Sequence, residues 1–184
     1  MSKQILRRQI LEMRDGMDIL DRDYLNSRLT SRIMSLEHIK KANTVMCYVS
    51  FGSEADTYEI MNRLWTLGKQ IVVPRVNGDE MEFFFIKNKS DLVPGYKGIM
   101  EPKEGCEKYE PSKGDIMLVP GAVFDERLFR IGYGKGFYDR YLEKHKGLYA
   151  IGMCFDFQVV DAIPVDKWDR GLDIIVTEKR NITY

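Results

Sequence analysis

The sequence predicts a three-layer α/β/α fold with a mixed, largely parallel sheet and helices at its N-terminal end. Three observations carry that expectation. From residue 44 onward, short β-branched runs alternate with stretches of helical periodicity, and strand, helix, strand order at this spacing builds parallel pairs joined by crossovers. An Asn77-Gly78 turn between two apolar runs adds an antiparallel member. Before residue 44 the apolar positions recur at helical spacing instead. A chain of 184 residues, 44% of them hydrophobic, suits one domain over 1–184, with residues 1–42 as a helical segment packed on the α/β core.

In residues 3–17, Leu6, Ile10, Met13 and Met17 form one stripe of a helix, and Lys3, Arg7 and Arg14 form a second. At 100° per residue the basic stripe lies about 70° around from the apolar one. A helix docked by Leu6 and Ile10 would hold Lys3 and Arg7 at the edge of its contact. A second helix is expected from an Asp21 N-cap through Leu25, Leu29, Ile33 and Leu36 to about residue 41. Residues 44–49 read as a buried strand, 56–67 as a helix closed by Gly68, and 70–74 as the next strand. Residues 81–86 return antiparallel. Further strands are expected at 115–119, 148–153 and 173–177, with a helix from Phe137 between the first two. Residues 87–111, interrupted by Pro94-Gly95, Gly98, Pro102 and Gly105, read as a long irregular loop of the kind that often carries function.

Composition excludes several classes of function. With 28 basic and 28 acidic residues the formal charge is zero, so no global field favours nucleic acid or an anionic membrane surface. No apolar run is long enough to span a bilayer. Cys47, Cys106 and Cys154 are odd in number and too dispersed for a CxxC pair, and the start of the chain is charged, so a reduced, cytoplasmic protein is expected. His38 and His145 both fall in polar, lysine-rich helical contexts, which argues against a histidine-based triad or a zinc site. Chemistry is left to carboxylates, cations, an oxygen-bound metal and binding geometry.

The most informative stretch is Arg130-Ile131-Gly132-Tyr133-Gly134-Lys135-Gly136-Phe137-Tyr138-Asp139. Alternating glycines let main-chain N–H groups turn toward an anion, Lys135 and Arg130 supply countercharge, and the helix beginning at Phe137 adds its positive dipole end. Lys135 is followed by Gly136 rather than Ser or Thr, so the loop is not a P-loop. The third glycine of a dinucleotide fingerprint is replaced by Phe137. A plain Gly-rich connector has no use for two cations and a carboxylate.

Two strand ends adjoin this loop. Ser50-Phe51-Gly52-Ser53-Glu54 follows the first strand, at the place where open α/β sheets bind ligands, and Glu54 is suited to accept hydrogen bonds from a heterocycle or to favour a helix start. Pro120-Gly121-Ala122-Val123-Phe124-Asp125 follows the 115–119 strand and leads into the glycine loop, where a lone Asp125 is expected to order the turn.

With these motifs assembled, the chain resembles the 5-formyltetrahydrofolate cyclo-ligase family, also called methenyltetrahydrofolate synthetases. The likeness rests on Lys3-x-x-x-Arg7, Tyr48-Val49-Ser50 with Glu54 and Thr57, Pro74-Arg75, Glu101-Pro102, and above all the segment from Pro120-Gly121 to Arg140. It implies a Rossmann-like α/β/α domain of cyclo-ligase type and a cytoplasmic ligase of one-carbon metabolism, a monomer or weak dimer. The implied reaction converts 5-formyltetrahydrofolate and ATP to 5,10-methenyltetrahydrofolate, ADP and phosphate with Mg²⁺. Position by position it implies ATP contacts at Lys3, Arg7 and from Arg130 through Ile131, Gly132, Tyr133, Gly134, Lys135, Gly136 and Phe137 to Tyr138. Folate contacts are implied at Val49, Glu54 and from Tyr133 through Phe137, a reacting role for Lys135, Arg130 and Tyr138, and Mg²⁺ at Asp139 and Asp173.

Three departures from the family pattern stand out. Leu128 occupies a region where a glycine is usual, which implies that the turn closes differently. Ile99-Met100 precedes Glu101 where an aromatic is common, with Tyr96 the nearest ring. Tyr133 stands where some members carry a second cation. Two other readings remain open at this stage: a non-catalytic folate-binding homologue, and a sugar-phosphate isomerase-like enzyme that needs no nucleotide.

Overall fold

The computed structural model describes all 184 residues except the side chain of Tyr96. Its elements in chain order are α1 (Lys3–Asp15), α2 (Ile19–Ser35), α3 (Glu37–Lys41), β1 (Thr44–Met46), α4 (Tyr58–Thr66), β2 (Gln70–Asn77), β3 (Glu80–Ile86), β4 (Leu92–Pro94), β5 (Met100–Pro102), β6 (Lys108–Tyr109) and β7 (Ile116–Val119). There follow β8 (Val123–Asp125), β9 (Arg130–Ile131), α5 (Phe137–Lys144), β10 (Tyr149–Met153), β11 (Val159–Val160), β12 (Ile174–Val176) and β13 (Asn181–Ile182). One eight-stranded sheet runs β13-β12-β10-β7-β1-β2-β3-β6. Its five central strands are parallel, and β13, β3 and β6 are antiparallel members at the two sides.

The parallel strands are apolar on both faces because both are covered. Val45, Ile71, Leu118, Ile151 and Val176 join one core with Leu29, Ile33, Ile39, Ile60 and Leu64 of α2, α3 and α4. Their neighbours Met46, Val72, Met117, Ala150 and Ile175 turn to the opposite face, toward Phe124, Leu128 and Tyr141 of α5. The period-2 alternation thus divides two helical layers across one sheet. Gly152 is required there: a Cβ would fall 2.6 Å from Leu172 Cδ1 and 2.9 Å from Phe124 Cε1. A three-stranded sheet, β11-β8-β9, forms a third small core on which α1 rests through Ile10.

The three-layer architecture agrees with the expectation, while several local readings require correction. Asp18, not Asp21, caps α2, accepting from Leu20 N–H at 2.8 Å. The expected single helix to residue 41 breaks at Leu36, whose extended backbone redirects α3 so that Ile39 is fully buried. Residues 87–111 are not irregular. They hold the β4–β5 hairpin and the edge strand β6, and the hairpin is tied to β2 by Arg75, which donates to the Pro102 carbonyl, and by Val76 N–H donating to Glu101 at 3.2 Å. The glycine and proline content concealed pairing that tertiary contacts support. The strands β8, β9, β11 and β13 are two or three residues long, too short for a periodic signal.

Leu128 also departs from expectation. It adopts the left-handed conformation at φ 67°, so the turn between β8 and β9 closes with a backbone a glycine would favour. Asp125 organises that turn. Its fully buried carboxylate accepts from the main-chain N–H groups of Arg127, Phe129 and Ile163 and from the Arg127 guanidinium.

Candidate active site

A cavity of about 420 Å³ opens where β1, β2 and β7 end. Tyr48, Val49 and Glu54 reach it from the β1 exit, Pro74 and Val76 from β2, Pro120 from the β7 exit, and Ile99, Met100 and Glu101 from the β4–β5 hairpin. Arg130, Gly132, Tyr133, Lys135, Gly136, Phe137, Tyr138 and Asp139 close the remaining side. This is the position favoured by ligands in open α/β sheets. Ile99 and Met100 stand in the wall where the sequence offered no aromatic; the Tyr96 side chain lies outside the described residues.

The glycine loop has the geometry an anion requires. Gly134 and Gly136 sit at φ 95° and 64°, values that glycine reaches without Cβ strain, whereas Gly132 does not need a positive φ. No side chain caps α5, so its N-terminus faces the loop without a built-in acceptor. Lys135 is exposed on the cavity rim, and its ammonium has no ion-pair or hydrogen-bond partner among the described residues. Arg140 braces the loop from outside, donating to the Lys135 carbonyl at 2.7 Å and the Asp79 carbonyl at 2.9 Å.

Ile10 and Leu6 dock α1 with Lys3 and Arg7 half-buried at the edge of the contact, and Arg14 goes further in than expected. Arg14 is buried, Arg7 donates through Nε to the Gly132 carbonyl at 2.8 Å, and Met13 of the apolar stripe is 56% exposed. The Arg7 guanidinium would lie 3.6 Å from a Cβ at Gly134, so it flanks the loop directly. Lys3 is placed elsewhere, held by Asp166 at 2.7 Å and Asp169 at 2.5 Å.

Arg130 is nearly enclosed and donates to Asp139 Oδ1 at 3.1 Å, while its Nε is buried without a partner among the described residues. Asp139 Oδ1 also accepts from Arg170 N–H. Its Oδ2 has no hydrogen-bond partner among the described residues. Asp173 accepts from Ala150 N–H at 2.7 Å and lines a separate hollow with Glu143 and Arg170. The two aspartates therefore border different depressions. Among the described residues no group of three or more His, Cys, Asp or Glu side chains is arranged to hold a metal ion. Mg²⁺ asks for less, since it commonly takes one or two carboxylates and completes its shell with water and phosphate oxygens. The free oxygen of Asp139, beside the phosphate-type loop, fits that requirement.

Glu54 marks the opposite character. It is 7% exposed, and burial raises its pKa, opposed by the Tyr133 hydroxyl, the Phe51 N–H at 3.1 Å and the positive charge of Arg14. The loop presenting it is locked by Thr57, which donates to the Tyr48 carbonyl and accepts from Ser50 N–H. Burial, reinforced by the Glu54 charge, raises the pKa of the Tyr48, Tyr133 and Tyr138 phenols, so each stays protonated and is a donor at neutral pH. Val49 is buried beside them. The cavity thus joins a cation- and amide-rich end to an apolar end bearing one deep carboxylate.

Sequence reasoning did not single out Arg14 or Arg140 as parts of this arrangement. The i, i+4, i+7, i+11 spacing of Lys3, Arg7, Ile10 and Arg14 was the available signal for Arg14. Neither histidine enters the cavity: His38 stacks on Tyr149 and His145 lies against Tyr141. None of the described helices is long and apolar enough to cross a membrane.

Comparison with known proteins gives the family of the chain. The profile of the 5-formyltetrahydrofolate cyclo-ligase family matches residues 1–178. The 5-formyltetrahydrofolate cyclo-ligase of Escherichia coli K12 is 32% identical over 162 residues, covering 85% of this chain and 89% of that protein. The Haemophilus influenzae protein of the same name is 28% identical, covering 95% and 97%. Among solved structures, the 5,10-methenyltetrahydrofolate synthetase of Aquifex aeolicus superposes with a TM-score of 0.88 at 34% identity, over 100% of this chain and 93% of the other. The Mycoplasma pneumoniae synthetase gives 0.79 at 26% identity, over 97% and 99%. By profile, sequence and fold alike, the chain belongs to the 5-formyltetrahydrofolate cyclo-ligase family.

Proposed function

We propose that this chain converts 5-formyltetrahydrofolate and ATP into 5,10-methenyltetrahydrofolate, ADP and phosphate, assisted by Mg²⁺. The observation that carries the proposal is the single cavity with a phosphate-type glycine loop at one side and a buried carboxylate at the other. A sugar-phosphate isomerase reading accounts for the loop and leaves the deep Glu54 and its apolar surroundings without a purpose.

A formamide carbon is a poor electrophile, and closing a ring onto it would require expelling an oxide. Phosphorylation removes that obstacle. The formyl oxygen attacks the γ-phosphorus of ATP, displacing ADP. The neighbouring folate nitrogen then adds to the activated carbon and gives up its proton, and the oxygen leaves with the phosphoryl group as phosphate. Such chemistry asks the protein mainly for placement and charge.

In this reading Glu54 accepts hydrogen bonds from the N–H edge of the pterin, with Val49 against its ring. Lys135, Arg7 and the amides of Ile131, Gly132, Tyr133, Gly134, Gly136 and Phe137 neutralise and hold the triphosphate. Lys3 joins them by exchanging Asp166 and Asp169 for a phosphate oxygen. Tyr138, protonated, donates to the oxygen that departs. Arg130 keeps Asp139 in place, and Asp139 would hold Mg²⁺, which when bound supplies positive charge to the phosphate oxygens. Asp173 lies apart from the cavity and would enter the shell only after local rearrangement. The apolar walls and the β4–β5 hairpin exclude water that would return an activated intermediate to the formyl compound.

The test is purified protein with 5-formyltetrahydrofolate and MgATP, following the methenyl absorbance and ADP together. Equal amounts of both products, absent without ATP, are expected. Tight folate binding without ADP release would favour a non-catalytic homologue instead.

A further inference from the structure

Arg14 is a guanidinium buried to 4% exposure that forms no direct ion pair among the described residues, an unusual state for a charge. Its partners are hydroxyls. Nε donates to Ser53 Oγ at 2.9 Å, and that hydroxyl in turn donates to the Asp15 carboxylate. Nη2 donates to Tyr133 Oη at 3.0 Å. A guanidinium has donors only, so the Tyr133 oxygen must act as the acceptor in that bond, which leaves its single proton for another acceptor. Glu54 lines the same cavity as Tyr133, and the Tyr133 hydroxyl is one of the groups that hold its pKa down against burial. Tyr133 as a residue is 40% exposed, and burial is the largest cause of the raised pKa of its phenol.

We propose that Arg14, outside the cavity wall, is a positioning residue: it polarises the Tyr133 hydroxyl toward Glu54, so that Glu54 meets the folate as an oriented carboxylate. The inference rests on reading Glu54 as the folate-facing acceptor. That the Tyr133 oxygen accepts from Arg14 follows from donor counting, and α1 thereby reaches the Tyr133 side of the cavity through Arg14 as it reaches the glycine loop through Arg7.

Removing either member of the relay withdraws an influence that favours the charged form of Glu54, so its pKa rises and folate binding is lost at higher pH than in the wild type. The other groups facing Glu54 are the Tyr48 and Tyr138 phenols, both neutral in the range of interest. The cavity also carries Lys97, Glu101, Arg130, Lys135 and Asp139, which the variants leave in place.

The experiment measures Kd for 5-formyltetrahydrofolate by equilibrium titration between about pH 5 and 8, for wild type, Arg14→Met, Tyr133→Phe, the double variant and Glu54→Gln. Both single variants should weaken folate binding by about tenfold near neutrality and move the acidic limb up by about one pH unit, while the ATP affinity of Arg14→Met changes less than about twofold. The double variant should lose less than the sum of the singles, because both act through one chain. Glu54→Gln should abolish the limb. Tyr133→Phe keeps the ring and only deletes a hydroxyl, so it remains informative if Arg14→Met proves unstable. An unmoved limb in Tyr133→Phe, weakening by the same factor at every pH, or a limb that survives in Glu54→Gln overturns the proposal while the cyclo-ligase reading stands. A wild-type protein that binds no folate overturns both.

Discussion

Replacing Leu128 by glycine sets two opposed effects against each other, and their magnitudes decide the outcome. Leu128 occupies φ 67° with its side chain 1% exposed in the core formed with Phe124, Leu172 and Ile175. The left-handed conformation costs an L residue roughly 1–2 kcal/mol, which glycine recovers. Deleting a buried leucine to alanine costs about 2–5 kcal/mol, and the freer unfolded glycine chain adds about 0.5–1 kcal/mol. Leu128→Gly should therefore be less stable by about 2–3 kcal/mol, although glycine suits the backbone. Leu128→Ala keeps the strain and loses the packing, and it should fall below the glycine variant by about 1 kcal/mol. Urea unfolding reads both: with a slope of about 2–3 kcal/mol per molar, the glycine midpoint should fall by about 1 M. A glycine variant as stable as wild type would show that the packing lost is no larger than the strain relieved, against these magnitudes. An alanine variant at or above the glycine one would show that the turn holds no strain.

Other consequences are equally direct. Lys135→Ala should fold normally, since the side chain is exposed and has no partner among the described residues, and should lower kcat by about 10²–10³ in a steady-state assay; wild-type turnover would remove Lys135 from the chemistry. Burial raises the pKa of Glu54, so at pH above its folded value the charged form opposes folding, and the penalty fades as pH falls toward the unfolded value. Glu54→Gln should accordingly melt higher than wild type at pH 7, with the gap closing in acid, while folate affinity drops at least about tenfold. A lower melting temperature at pH 7 would contradict that sign. Asp125→Ala strands the donors of the β8–β9 turn and should cost about 3 kcal/mol or more, seen as a Tm lower by roughly 10 °C.

The parallel centre of the sheet was legible because its strands are continuous apolar runs separated by helices of regular period. The glycine loop was legible because few residue combinations besides Arg130 to Asp139 place amides, cations and a carboxylate so densely. The β4–β5 hairpin was not, since its strands are three residues long and lie among prolines and glycines, with support from Arg75 and Val76 that only tertiary structure supplies. The burial of Arg14 on α1 was not legible for a related reason. Apolar residues usually mark the buried stripe, as Ile10 does here, whereas Arg14 joins it by satisfying its polar atoms on Ser53 and Tyr133. Motif spacing gave no sign of the surroundings of Lys3 and Asp173, which the chain places on two aspartates and in a neighbouring hollow.

The central claim is that the cavity holds triphosphate and folate together so that the formyl oxygen itself becomes the phosphoryl acceptor. The direct measurement uses 5-formyltetrahydrofolate carrying ¹⁸O in the formyl group, with mass analysis of the phosphate released during turnover. One labelled oxygen in each phosphate is the predicted result. Phosphate without label, alongside methenyl product, would contradict the account.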